Sequence, residues 1–200
     1  MSDIIRLTHS INPAMLESAY RDAAFPMADP DDPGVFTWHR PRRRAILPLH
    51  AFHVSHSLAR TIRQARFTVT YDQHFPAVMR ACAARPDVWI TEPLIDAYTA
   101  LHGAGKAHSV EVFVDGQLAG GVYGVHLGGA FFAESKFHSL RDMSKVALAH
   151  LVFRLRQRGF ALLEVQYITT HLAQFGVTLI PDHQYRHRLA EALALNCQFS

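Results

Sequence analysis

The pair Asp115-Gly116 stands between two apolar runs that alternate with the period of a β-strand, Ser109 to Val114 and Gln117 to Val125. An Asp-Gly pair readily supplies the two positive-φ positions of the tightest hairpin turn, so the runs are predicted to pair antiparallel. A third strand is expected at Ala130 to Ala133. From Ser144 onward, Leu148, Leu151, Val152 and Leu155 recur at helical spacing, and Gly159 stands where such a helix ends. A strand over Ala161 to Tyr167, a short helix ending at Gly176, a strand at Val177 to Ile180 and a helix over Gln184 to Ala194 complete this half. Upstream, Asn12-Pro13 opens a helix with a capping side chain followed by proline. Phe25-Pro26 stops it, and helices are expected over Leu49 to Arg66, Phe75 to Ala84 and from Thr91 to about His102, with a strand at Phe67 to Thr70. Elements in this order predict an α+β fold, a sheet with helices packed upon it.

Composition narrows the setting. A chain of 200 residues fits one domain, or one with a small companion. No apolar run approaches the roughly 18 residues of a membrane span. The first ten residues carry Asp3 and Arg6 and lack the apolar core of a secretory signal. Two distant cysteines, Cys82 and Cys197, fit a reducing compartment, so a cytoplasmic address is expected. His50, His53 and His56, like His183 and His187, lack the carboxylate or thiol company of a metal site, and no metal is expected. Net charge is only +3, yet between Pro33 and Tyr71 lie seven arginines and no acid: Arg40, Arg42, Arg43, Arg44, Arg60, Arg63 and Arg66. Such a stretch suits a phosphate-bearing partner or forms a solvated face.

The order of elements resembles the GNAT-like (acetyltransferase-like) fold. CoA-dependent members carry a Gly-rich loop before the long helix, whereas Glu134 to Met143 contains no glycine here, so no CoA and no other cofactor is expected. Trp89-Ile90-Thr91, His108-Ser109-Val110-Glu111-Val112, Gly120-Gly121-Val122-Tyr123-Gly124-Val125, Phe131-Phe132-Ala133-Glu134-Ser135-Lys136-Phe137, Ser144-Lys145, Glu164-Val165-Gln166 and Ile180-Pro181 follow in sequence. Together they resemble the leucyl/phenylalanyl-tRNA–protein transferases, over about Trp89 to Leu193. The resemblance implies transfer of Leu or Phe from aminoacyl-tRNA to the N-terminal amine of a protein beginning with Arg or Lys, which marks the acceptor for degradation by an N-degron pathway. It also implies a small N-terminal domain, drawn at 1–48, on a GNAT-like domain over 49–200, acting as a monomer away from membranes.

Aminolysis of an already activated ester asks for positioning, amine deprotonation and oxyanion stabilisation. Glu164 and Gln166, two apart on the expected strand, would share a face and form the catalytic pair. The family has Asp where Glu164 stands, so Glu164→Asp is expected to keep or raise transfer. Glu134 matches a family Glu and would receive the acceptor's basic residue. Val122, Phe131 and Phe132 are candidates for holding the Leu or Phe side chain, and Trp89 for stacking on the terminal adenine. Ser135 and Ser144, from the same motifs, join the substrate-binding set. Arg42, Arg43, Arg44, Arg60, Arg63 and Arg66 would hold the tRNA. The chain departs from the family at Met27, where Trp is expected, at Lys136 for Met, at His138 for Ser and at Asp182 for Arg. These leave open a different acceptor, or an inactive tRNA- or peptide-binding relative.

Overall fold

A computed structural model describes residues 3–84 and 89–200. Ten strands and seven α-helices follow one another as β1 (Ile4–Thr8), α1 (Pro13–Arg21), β2 (Phe25–Ala28), β3 (Phe36–His39), β4 (Arg43–Ile46), α2 (His56–Gln64), β5 (Thr68–Tyr71), α3 (Phe75–Ala83) and α4 (Glu92–Gly103). Then come β6 (Ala107–Val114), β7 (Gln117–Leu127), β8 (Ala130–His138), α5 (Met143–Gln157), β9 (Leu162–Glu164), α6 (Thr170–Ala173), β10 (Thr178–Pro181) and α7 (Asp182–Leu193). Seven strands form one sheet in the order β10-β4-β9-β8-β7-β6-β5, and β1-β3-β2 form a small second sheet. Every pairing in the large sheet is antiparallel except β8 with β9.

The hairpin turn forms as expected, with Asp115 at φ 49° and Gly116 at φ 75°. Asn12 caps α1 through a 2.9 Å bond from the Met15 amide to its side chain. Helix α5 buries Val146, Ala147, Leu148, Leu151, Val152 and Leu155, and Gly159 follows it in the left-handed conformation. Its amino end lies so close to β7 that a Cβ on Gly120 would come within 2.7 Å of the Met143 backbone. One apolar cluster joins α1, α3, α4, α7 and the small sheet on one face of the large sheet. A second cluster, built on α5 with help from α2, covers the other face.

Three expectations change. The helix over Leu49 to Arg66 is a 3-10 turn at Leu49–Ala51 followed by α2, because the extended backbone from Phe52 to Ser55 interrupts it. The strand over Ala161 to Tyr167 shrinks to β9. The arginine run contains a strand, β4, which sits in the large sheet between β10 and β9. The boundary drawn at residue 48 therefore leaves one strand of the large sheet on its N-terminal side. No helix among the described residues is long and apolar enough to cross a membrane.

Candidate active site

Strands β8 and β9 pair over only three positions, Ala130 with Leu162, Phe131 with Leu163 and Phe132 with Glu164, and then part. Two backbone features shape the opening. On β8, Ala133 stands opposite Gly124 and Ser135 opposite Tyr123, so Glu134 is the extra residue of a β-bulge. Gly124 makes room beside it, since a Cβ there would overlap the Phe132 carbonyl oxygen. Beyond β9, Gln166 adopts φ 58°, a left-handed conformation uncommon for a residue with a side chain.

Between these features lies a small pocket of about 60 Å³. Val122, Leu148, Val165 and Leu172 give it apolar walls, and Glu134 lines it together with Ala133, Ser135 and Lys136. Glu134 is 7% exposed. Its Oε2 accepts hydrogen bonds from Gln166 Nε2 at 2.7 Å and from the Tyr98 hydroxyl at 3.2 Å. The Tyr98 hydroxyl lies 2.5 Å from that of Tyr20. Glu134 Oε1 is buried and has no partner among the described residues. Burial, reinforced by the Glu164 charge, pushes the Glu134 carboxyl up to about 8 against the hydrogen bonds that favour its ionised form. Tyr20 and Tyr98 are raised well above the ordinary tyrosine range, by burial first and the Glu134 charge second. They remain neutral hydrogen-bonding hydroxyls.

Glu164 is placed differently from the expectation. It is 2% exposed, and both oxygens are occupied. Arg44 Nε and Nη2 donate to Oε1 at 2.9 and 2.5 Å, and the Tyr185 hydroxyl donates to Oε2 at 2.5 Å. The expected Glu164–Gln166 pair on one strand face does not form, because β9 ends at Glu164 and the backbone turns over at Gln166. Gln166 pairs with Glu134 instead. An Asp at 164 would have one methylene less with which to span Arg44 and Tyr185.

Arg44 also leaves the tRNA-binding set. It is 1% exposed, its Nη1 donates to the Ala23 carbonyl, and its guanidinium lies 4.1 Å from the Tyr185 ring centre. A phosphate cannot reach it. Arg42, Arg43, Arg60, Arg63 and Arg66 are exposed. Phe131 and Phe132 lie in the core on opposite faces of the sheet, outside the pocket, because adjacent residues of a strand point to opposite faces. Val122 and Ser135 do line it. Ser144 is buried at the start of α5, with its hydroxyl 3.3 Å from His138 Nδ1. Trp89 packs half-buried against the same cluster as Met27, and its carbonyl accepts from the Ala28 amide. Sequence reasoning misses Tyr20 and Tyr98: their meeting spans 78 residues, and nothing local marks a helical tyrosine as a partner for an acid.

Comparison with known proteins bears on this arrangement. The family model described as leucyl/phenylalanyl-tRNA protein transferase matches residues 46–190. The chain belongs to that family. A leucyl/phenylalanyl-tRNA–protein transferase of Salinibacter ruber is 51% identical over 183 residues, covering 92% of this chain and 80% of the relative. One from Gloeobacter violaceus is 49% identical over 190 residues, covering 95% of this chain and 98% of the relative. Among solved structures, that of FemX superposes with a TM-score of 0.53 at 12% identity, over 70% of this chain and 60% of FemX, which speaks for the fold alone. The transferase family thus carries a GNAT-like α+β architecture here. Lys136, in the run Ala133-Glu134-Ser135-Lys136, stands on the pocket wall.

Proposed function

We propose that this chain transfers Leu or Phe from aminoacyl-tRNA to the N-terminal amine of a protein that begins with Arg or Lys. The observation that carries the reading is the pocket lined by Glu134, whose Oε2 is held by Gln166 and whose other oxygen is unpartnered among the described residues. Val122, Leu148, Val165 and Leu172 hold the aminoacyl side chain. The exposed arginines Arg42, Arg43, Arg60, Arg63 and Arg66 hold the acceptor arm, and the free part of Trp89 stacks on its terminal base. The working unit is a monomer. It acts in the cytoplasm, where aminoacyl-tRNA is made.

The amine nitrogen attacks the ester carbonyl carbon, a C–N bond forms, and the C–O bond to the ribose breaks. One proton must leave the amine and one must reach the ribose oxygen. Glu134 serves both steps. A carboxyl near 8 matches a protein α-amino group, whose ordinary value is roughly 7.7–8.0, so the proton moves with little cost in either direction. An arriving ammonium also favours the ionised form of Glu134. Gln166 keeps one N–H on Glu134, which fixes its amide and turns its carbonyl oxygen toward a donor such as the attacking amine.

Incubation with radiolabelled Leu-tRNA or Phe-tRNA and an Arg-initiated model protein tests the reading: acid-stable label on the acceptor is expected. No label would refute it. Lys136 on the pocket wall favours a second reading, in which the acceptor is not basic at its N-terminus. Label confined to proteins with other first residues would select that one.

A further inference from the structure

The Arg44–Glu164 pair joins parts of the chain that are remote in sequence. Arg44 lies on β4, Glu164 closes β9, and Tyr185 comes from α7. The Ala23 carbonyl precedes β2, and Asp182, at the start of α7, places Oδ1 3.9 Å from Arg44 Nη1 with no hydrogen-bond partner of its own among the described residues. Next to this knot, the Val165 amide donates to the Ala45 carbonyl at 3.0 Å. The chain is therefore pinned at 164 through its side chain and at 165 through its backbone. Gln166 follows at once with φ 58°. A residue with a Cβ stays in that conformation only when its surroundings over-determine it.

We propose that Arg44 and Tyr185 are positioning residues for the transfer step: by fixing the Glu164 carboxylate, they hold the turn that presents Gln166 to Glu134 and set the negative charge that Glu134 faces. The proposal rests on the reading of Glu134 and Gln166 given above. It gives a buried acid with no free oxygen a task other than proton transfer. The Glu164 charge is among the causes that raise Glu134. Around Glu134 stand the hydroxyls of Tyr20 from α1 and Tyr98 from α4, the amide of Gln166 and the charge of Glu164; Ser135 and Lys136 line the same pocket. Around Glu164 stand Arg44, Tyr185, Asp182 and the neighbouring hydroxyl of Tyr167.

The test compares wild type with Glu164→Gln and Tyr185→Phe, reading kcat and KM across pH and titrating Glu134 by carbon-13 NMR of labelled glutamate. Glu164→Gln keeps an acceptor for Arg44 and removes the charge, so the Glu134 titration and the acid limb of kcat should both move down by about one pH unit. Tyr185→Phe should fold, as it removes one hydroxyl, and lower kcat roughly tenfold with KM nearly unchanged. An unmoved titration in Glu164→Gln, or wild-type kcat in Tyr185→Phe, overturns the proposal. If Glu164→Gln does not fold, the kcat and KM of Tyr185→Phe decide. A wild-type protein without activity refutes the transfer reading instead, and the NMR titration then still decides whether the Glu164 charge acts on Glu134.

Discussion

Replacing Glu134 by Gln separates the stability of the fold from its chemistry. The carboxyl is 7% exposed and is raised from 4.5 to about 8, mainly because burial disfavours its charge. The folded protein therefore keeps a proton on Glu134 that the unfolded chain has released. With more protons bound in the folded state, stability falls as pH rises, by about 1.4 kcal/mol per pH unit inside the window from about 4.5 to 8. Between about pH 5.5 and 7.5 this one group removes roughly 2–3 kcal/mol. The amide introduced by Glu134→Gln cannot ionise and lacks that slope, yet it retains an oxygen for the Gln166 and Tyr98 donors. Urea unfolding of both proteins at about pH 5.5, 6.5 and 7.5 should show the variant gaining on wild type by roughly 1 kcal/mol at each step. Taking the difference cancels every other titrating group. Over the same range the variant should lose transfer by about 100-fold or more, the usual worth of a positioned acid–base group. Parallel stability curves would refute the claim that Glu134 is protonated in the folded state at neutral pH.

Arg44→Ala strips Glu164 of its counter-charge, and removal of one partner from a buried pair should cost about 3–5 kcal/mol in denaturant unfolding. Gly124→Ala places a methyl group against the Phe132 carbonyl and the Phe131 ring, and should lower Tm and distort the Glu134 bulge, visible as disappearance of the Glu134 titration near 8. Val122→Phe fills the pocket from β7, so KM for Phe-tRNA should rise at least tenfold while Tm stays within a few degrees. Replacing Arg60, Arg63 and Arg66 by Ala should weaken tRNA binding and flatten its dependence on salt, by about one unit of slope for each phosphate that an arginine no longer neutralises. An unchanged salt slope would return those three arginines to a solvated face.

How much of this is legible without the structure depends on the distance over which each feature is decided. The Asp115-Gly116 hairpin and the α5 helix closed by Gly159 depend on neighbours within a turn or a few residues, and both stand as read. Strand β4 is hidden in the sequence because its partners, β9 and β10, lie more than a hundred residues away, and its first residues read as charge rather than as strand. Arg44 looks like its surface neighbours until Glu164 is folded against it from 120 residues downstream. The family motif picks out Glu134, Gln166 and Glu164 but pairs Gln166 with Glu164, whereas in the structure Gln166 bonds to Glu134. That pairing rests on the bulge at 134 and the positive φ at 166, neither of which has a local signature when no glycine marks the spot. Phe131 and Phe132 share a motif, yet neighbours on a strand cannot share a pocket.

The most direct test of the central claim is intact-mass spectrometry of an Arg-initiated acceptor after incubation with Leu-tRNA and the purified chain. The expected result is a gain of one leucyl residue, confined to the N-terminal amine and abolished by Glu134→Gln. An acceptor of unchanged mass, or an undiminished gain with the Glu134→Gln protein, would contradict it.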